Sequence, residues 1–272
     1  MADRYLLESG APDGYLLEDG TGVLLLDIPP PGPTIDATST SGWDTNVSTN
    51  SVTWTHTCSG ANRVLVVIAF ATDNTQASVT ASTCTYNGDS LSLETAAAFT
   101  FSAGASFGRT TIFTLVAPDT GSAFDITITF AGNCDRKKGI AISLNDASQG
   151  GVYETAVSET SDVNEFWPVG GRDVTLTIGK DGSLPISAML NAGSLNELNA
   201  GSGQTRIHSS VTASSQWSAA SYRSRSFAGS VDFQWSGIDD AGPYALIAFG
   251  VLALNVKPVV HMAPYVTGEM RQ

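Results

Sequence analysis

Charge is what this sequence has least of. Asp, Glu, Lys and Arg make up 14% of 272 residues, with 13 basic side chains against 26 acidic ones. A nucleic-acid surface must neutralise a row of phosphates, and a formal charge of −13 with no basic cluster excludes that role. The Glu, Lys, Arg, Leu and Ala mixture that builds long helices is missing as well. Cysteine is scarce: Cys58, Cys84 and Cys134 are odd in number and form no C-x-x-C pair. Neither a zinc site nor a disulfide framework is expected from them, and free, buried thiols are. No apolar run approaches the roughly 20 residues of a membrane helix; the late run Tyr244 to Leu254 is too short. The opening Met1 to Glu8 lacks the basic segment and apolar core of a secretion signal, so synthesis in a cytosol is expected.

What fills the sequence is Ser, Thr, Gly and short apolar runs. Arg63 is followed by seven apolar residues, Val64 to Phe70. They do not alternate with polar ones, which marks a strand buried on both faces. Other segments alternate: Trp54, His56 and Cys58 against threonines, Asp125 to Phe130, Ile140 to Leu144, Val174 to Ile178, and Val231, Phe233 and Trp235. Asn87-Gly88 between two such segments is a hairpin signal. Residues 146–172 read as loop, Ser221 to Phe227 as an outer strand exposing Arg223 and Arg225, and Ala245 to Leu254 as the partner of Val64 to Phe70. About a dozen short strands and no convincing helix make the chain an all-β antiparallel sandwich.

The first 28 residues differ from the rest. Tyr5-Leu6-Leu7-Glu8 recurs as Tyr15-Leu16-Leu17-Glu18 and loosely as Val23-Leu24-Leu25-Leu26-Asp27, with Gly, Pro and Asp between the copies. This is a small three-strand meander, too small to be stable alone. It must dock, on its own body or on another chain. Burying half of Tyr5, Leu6, Leu7, Tyr15, Leu16, Leu17, Leu24, Leu25 and Leu26 would contribute on the order of 5–10 kcal/mol. Pro29, Pro30, Pro31 and Pro33 then form a stiff spacer of roughly 15 Å. The expected divisions are an arm at 1–28, a linker at 29–34, a sandwich at 35–256 and an extended tail at 257–272.

Few residues look chemical. Gly88-Asp89-Ser90-Leu91 spells the nucleophile block of the GDSL hydrolases, and Gly104 to Gly108 around Ser106 spells G-x-S-x-G. Both need a strand-to-helix turn, and both lie between strands here. No histidine of His56, His208 and His261 has an Asp three positions earlier. Neither catalytic residues nor a cofactor are expected. Asp239-Asp240 reads as a solvated turn rather than a calcium site, so no metal is expected. His56, in register with Trp54 and Cys58, reads as a hydrogen-bonded core histidine. Trp43, Trp167 and Trp217 lie in loop-like sequence and are candidates for stacking on a sugar.

Trp54-x-His56, Asn62-Arg63 before the apolar strand, Tyr86-Asn87-Gly88 with its leucine hairpin, Gly201 to Gln204 and the closing strand Ala245 to Leu254 together resemble a jelly-roll module. Such modules occur in bacteriophage virion proteins and some bacterial surface proteins. The resemblance covers about residues 35–256, and the Tyr-Leu-Leu-Glu repeats resemble the N-termini of phage-encoded structural proteins. It implies a non-enzymatic virion protein, a capsid decoration or head spike or a tail-associated protein, made in the bacterial cytoplasm. Its partners would be the major capsid protein or tail proteins and further copies of itself, with no nucleic acid and no membrane. The alternative is a carbohydrate-binding or tail-fibre, receptor-binding module with a host-surface glycan as partner.

Overall fold

The computed structural model describes residues 14–16, 23–25, 32–101, 106–161, 172–192, 197–212, 216–224, 227–236 and 243–254. All described regular structure is β, and every pairing between named strands is antiparallel.

In the arm, β1 (Gly14–Leu16) pairs with β2 (Val23–Leu25) through Gly14↔Leu25, Tyr15↔Leu24 and Leu16↔Val23. These two strands form a sheet of their own. The first copy of the repeat, Tyr5 to Glu8, lies outside the described residues, as do Leu17 and Leu26.

The body is a sandwich built twice. Its first half runs through β3 (Thr34–Thr40), β4 (Ser51–His56), β5 (Val64–Asp73), β6 (Ala81–Tyr86), β7 (Asp89–Ser90), β8 (Ser92–Phe101), β9 (Ser106–Val116), β10 (Phe124–Phe130) and β11 (Arg136–Asn145). The second runs through β12 (Tyr153–Ser161), β13 (Arg172–Ile178), β14 (Leu184–Ala192), β15 (Asn199–Ala200), β16 (Thr205–Val211), β17 (Gln216–Tyr222), β18 (Gly229–Ser236) and β19 (Tyr244–Val251). The first half forms the sheets β3-β11-β5-β9-β8 and β4-β10-β6-β7; the second forms β12-β19-β14-β17-β16 and β13-β18-β15. With β7 and β8 taken as one strand broken at Leu91, each half has the same order, 1-8-3-6-5 in one sheet and 2-7-4 in the other. In the first half the broken strand also extends the smaller sheet, since β7 pairs with β6 and β8 with β9. This is the double-sheet, Greek-key order of a jelly roll, so the expected sandwich is present in two copies.

Three cores follow. Val52, Trp54, Cys84, Tyr86, Ile126 and Ile128 fill the first jelly roll against Leu65, Val67 and Phe113. Leu176, Ile178, Val231, Phe233 and Trp235 fill the second against Met189, Leu246 and Ala248. The third core is the seam between the two five-stranded sheets, where Val64, Val66, Ile68, Phe70, Ile140 and Ile142 meet Ile186, Ala188, Leu190, Ile247 and Phe249. The two stacked sheets run their strand orders in opposite senses: β8 lies over β12 and β19, and β9 over β19 and β14.

This layering explains the continuous apolar runs. β5 and β19 are buried along nearly their whole length because each has a core on both faces. They are not hydrogen-bonded partners, as the run lengths suggested. β5 pairs with β11 and β9, and β19 with β12 and β14; both contribute side chains to the seam core from opposite sheets. β12 occupies part of the expected 146–172 loop; as an edge strand it carries polar, half-exposed side chains and no apolar alternation. The strand expected at Ser221 to Phe227 ends at Tyr222 and is buried, since β17 lies between β14 and β16. Arg223 follows it, half-buried, with Nη2 donating to the Ser202 carbonyl at 2.6 Å; Arg225 lies outside the described residues.

Asn87 and Gly88 form the expected tight turn. Both have positive φ, 51° and 90°, as a two-residue hairpin turn of this kind requires.

Candidate functional site

Two places in the body stand out physically. The first is polar and lies in the seam. Lys138 is on β11, and β11 places Lys138, Ile140, Ile142 and Leu144 on the face turned toward the second jelly roll. The side chain is fully buried. Its Nζ lies 2.6 Å from His208 Nε2, hydrogen-bonds Ser210 Oγ, and sits 5.6 Å from the centre of the Trp43 ring. His208 and Ser210 come from edge strand β16, so one bond network ties the two halves together. Burial pulls the Lys138 amine down to about 7. Burial, then the Lys138 and Arg206 charges, pull His208 down to about 4.

A near-neutral lysine beside a serine is a pairing that can activate a hydroxyl. Acyl transfer also needs room for a substrate, and the four cavities described are lined by other residues. The cluster is a junction between halves. Sequence reading missed it because Lys137-Lys138 looks like a charged lead-in to the strand at Ile140. Extending the alternation of Ile140, Ile142 and Leu144 back by two residues would have placed Lys138 on the apolar face.

The second place is a pole where the chain enters and leaves the body. Gly32 packs so close to the Gly182 carbonyl that a methyl group on it would come within 2.1 Å of the oxygen. Leu254, whose N–H donates to the Asp146 carbonyl at 2.9 Å, lines a cavity of about 710 Å³ with Gln149, Gly150, Lys180 and Asp181. A second cavity, of about 630 Å³, shares Gln149 to Gly151 and reaches Ser92, Glu94 and Val116. Exposed apolar side chains lie here too: Leu93 at 55% and Phe227 at 61% exposure, with the neighbouring Ala228 N–H donating to Asp181. Both arms therefore join the body at one end.

The serines of both motifs lie on β-strands. Ser90 is exposed on the two-residue strand β7. Ser106 begins β9, and its Oγ donates to Asn74 Oδ1 at 2.8 Å. Ser39, His56 and Asp36 are triad residue types lying close together, yet their wiring is structural. Ser39 Oγ bonds His56 Nδ1 at 2.8 Å and accepts from Trp54 Nε1 at 3.0 Å. Asp36 accepts instead from the Ser59 backbone and from Ser143 Oγ. Burial lowers His56, and the Asp36 charge acts in the other direction.

Of the three tryptophans proposed for sugar stacking, Trp217 is 7% exposed in the second core, so it offers no stacking platform. Trp43 is half-buried against the seam and faces Lys138. Trp167 lies outside the described residues, as does Asp239-Asp240. Gly201 to Gln204 form a turn closed by Gln204 N–H to Gly201 O, leading into strand β16. All three cysteines are free and buried. Among the described residues no cluster of three His, Cys, Asp or Glu is placed to hold a metal ion. No protein-family model, curated protein or solved structure matches this chain.

Proposed function

We propose that the protein is a non-enzymatic structural component of a bacteriophage virion, a capsid decoration or head spike, held to the particle by its terminal arms. The observation that carries this reading is the shared exit pole. Gly32 and Leu254, where the two arms join the body, both lie beside the Lys180–Gly182 turn. An object fixed to a surface through both ends presents its opposite end outward, and this body is a rigid block of stacked sheets with three cores. A double jelly roll with a Ser/Thr surface fits that use, because the architecture recurs in capsid proteins; fold by itself supports function only by analogy. The leucine-rich hairpin has its own two-stranded sheet and needs a surface to cover it.

The test is particle binding. A chain beginning at Pro29 and a full-length Leu16→Asp/Leu24→Asp variant are added to particles lacking the protein. Both are expected to fold, melt at the wild-type temperature and fail to join particles. Full occupancy by either would place the anchor elsewhere, and unfolding of the truncated chain would make the arm part of its own core.

A further inference from the structure

We propose that Lys138, His208 and Ser210 form a proton-operated latch that holds edge strand β16 to the first jelly roll and releases it in mild acid. The latch stands on its hydrogen-bond geometry. Lys138 Nζ and His208 Nε2 are 2.6 Å apart, and such a contact needs one donor and one acceptor. With both groups neutral, or with one of them charged, the pair is satisfied. With both charged, N–H points at N–H, and two positive charges face each other out of water.

Among the described residues the surroundings supply no counter-charge. β16 contributes Arg206 as well as His208, and Arg136 lies two residues from Lys138 on the same face of β11. β5 offers Phe70 opposite Lys138, and the segment after β3 offers the Trp43 ring. Glu197 is bonded to Arg206, and Asp44 is engaged by Lys137, whose alternating position on β11 turns it to the other face. Among the described residues no carboxylate faces Lys138 or His208. The Trp43 ring face can hold one ammonium, so the closed latch accommodates a single positive charge.

The direction with pH follows. Both groups take up protons less readily in the closed body than in water. The open form therefore binds more protons, and closure weakens as pH falls. The window for the second proton runs from the ordinary histidine value of about 6.5 down to about 4. Lys138 contributes over a separate window, between its ordinary value of 10.5 and about 7. The outer core of the second jelly roll is apolar; that of the first is bordered by buried His56, which burial also lowers, so the second sandwich is the reference. Acid thus acts on one edge of the seam and leaves the second sandwich closed. This inference does not depend on where the protein resides.

The experiment is amide exchange of the full chain from pH 8 to pH 4.5, corrected for intrinsic rates and read by peptide. Peptides from β16 are expected to lose protection by roughly tenfold or more between pH 6.5 and 4.5, while β18 keeps its own. In His208→Gln the β16 step should vanish, and in Lys138→Met it should shrink, because burial alone still lowers His208. If one variant fails to fold, the other decides. Protection in β16 that stays level, or falls in step with β18, overturns the latch. So does a step of undiminished size in a folded variant.

Discussion

The ring of Trp54 occupies the space that a side chain at position 139 would need: a methyl group on Gly139 would meet Trp54 Cη2 at 2.1 Å and Cζ3 at 2.4 Å. Trp54 is on the outer sheet of the first jelly roll and Gly139 on the inner one. The glycine is thus a packing requirement, set where two sheets approach.

Gly139→Ala should therefore cost about 1–3 kcal/mol, the usual penalty for overfilling a packed core. At about 2–4 °C per kcal/mol for a chain of this size, differential scanning calorimetry reads it directly. Gly150→Ala is the control, because nothing lies within 4 Å of the added methyl. Equal melting temperatures for the two variants would show that the sheets part easily at Trp54.

Lys137 is fully buried and its Nζ lies 3.1 Å from Asp44 Oδ2. Burial works against the Asp44 charge, but the Asn46 backbone N–H, Lys137 and Thr49 together hold its carboxyl below the usual range. A carboxylate lowered on folding contributes stability above its unfolded value and loses it as pH falls through the folded one. Asp44→Asn should cost on the order of 1–3 kcal/mol, discounted because solvent reaches the aspartate. Urea unfolding at pH 7 measures this. Asp44→Asn/Lys137→Met should recover most of the loss, since no buried charge is then left unpaired.

The thiols should be silent in the folded protein. Burial raises all three, Cys84 and Cys134 to about 12, and only the thiolate reacts. Ellman titration at pH 8 should find almost none in the native chain and three per chain in guanidinium, without reductant. A single thiol in the denatured sample would reveal a disulfide.

Ser90→Ala and Ser106→Ala should match wild type both in melting temperature, within about 0.5 kcal/mol, and in an assay with a p-nitrophenyl ester. Turnover that either change abolishes would overturn the structural reading of both motifs.

The strands of the first half were largely legible because their faces differ. Val52, Trp54 and His56 alternate with threonines and point into a core while the threonines face out. Asn87-Gly88 announced its turn through backbone chemistry alone. The duplication was not legible. Val64–Asp73 and Leu184–Ala192 are equivalent strands, yet one is a run of branched apolar residues and the other carries Pro185, Ser187 and Asn191. What repeats is the order in which strands pair, and pairing order leaves no periodic trace in composition. β12 escaped for a related reason: Glu154, Glu159 and its serines sit half-exposed at a sheet edge, where one buried face is not required. The seam cluster joins residues about seventy positions apart, from Lys138 to His208. Such a contact exists only once the two sheets are stacked.

The common exit pole has a mechanical consequence. Both poles of the body are strand ends, so a pull between the arms and the far end runs along the strands. β3 begins at Thr34, just past Gly32, and its ladder to β11 extends from Thr34↔Asn145 to Thr40↔Ile140. Antiparallel ladder bonds lie across the strand direction. Tension on Thr34 therefore shears them all at once, whereas a sideways tug would peel them one after another. The body resists a pull along its length and yields first to a sideways force.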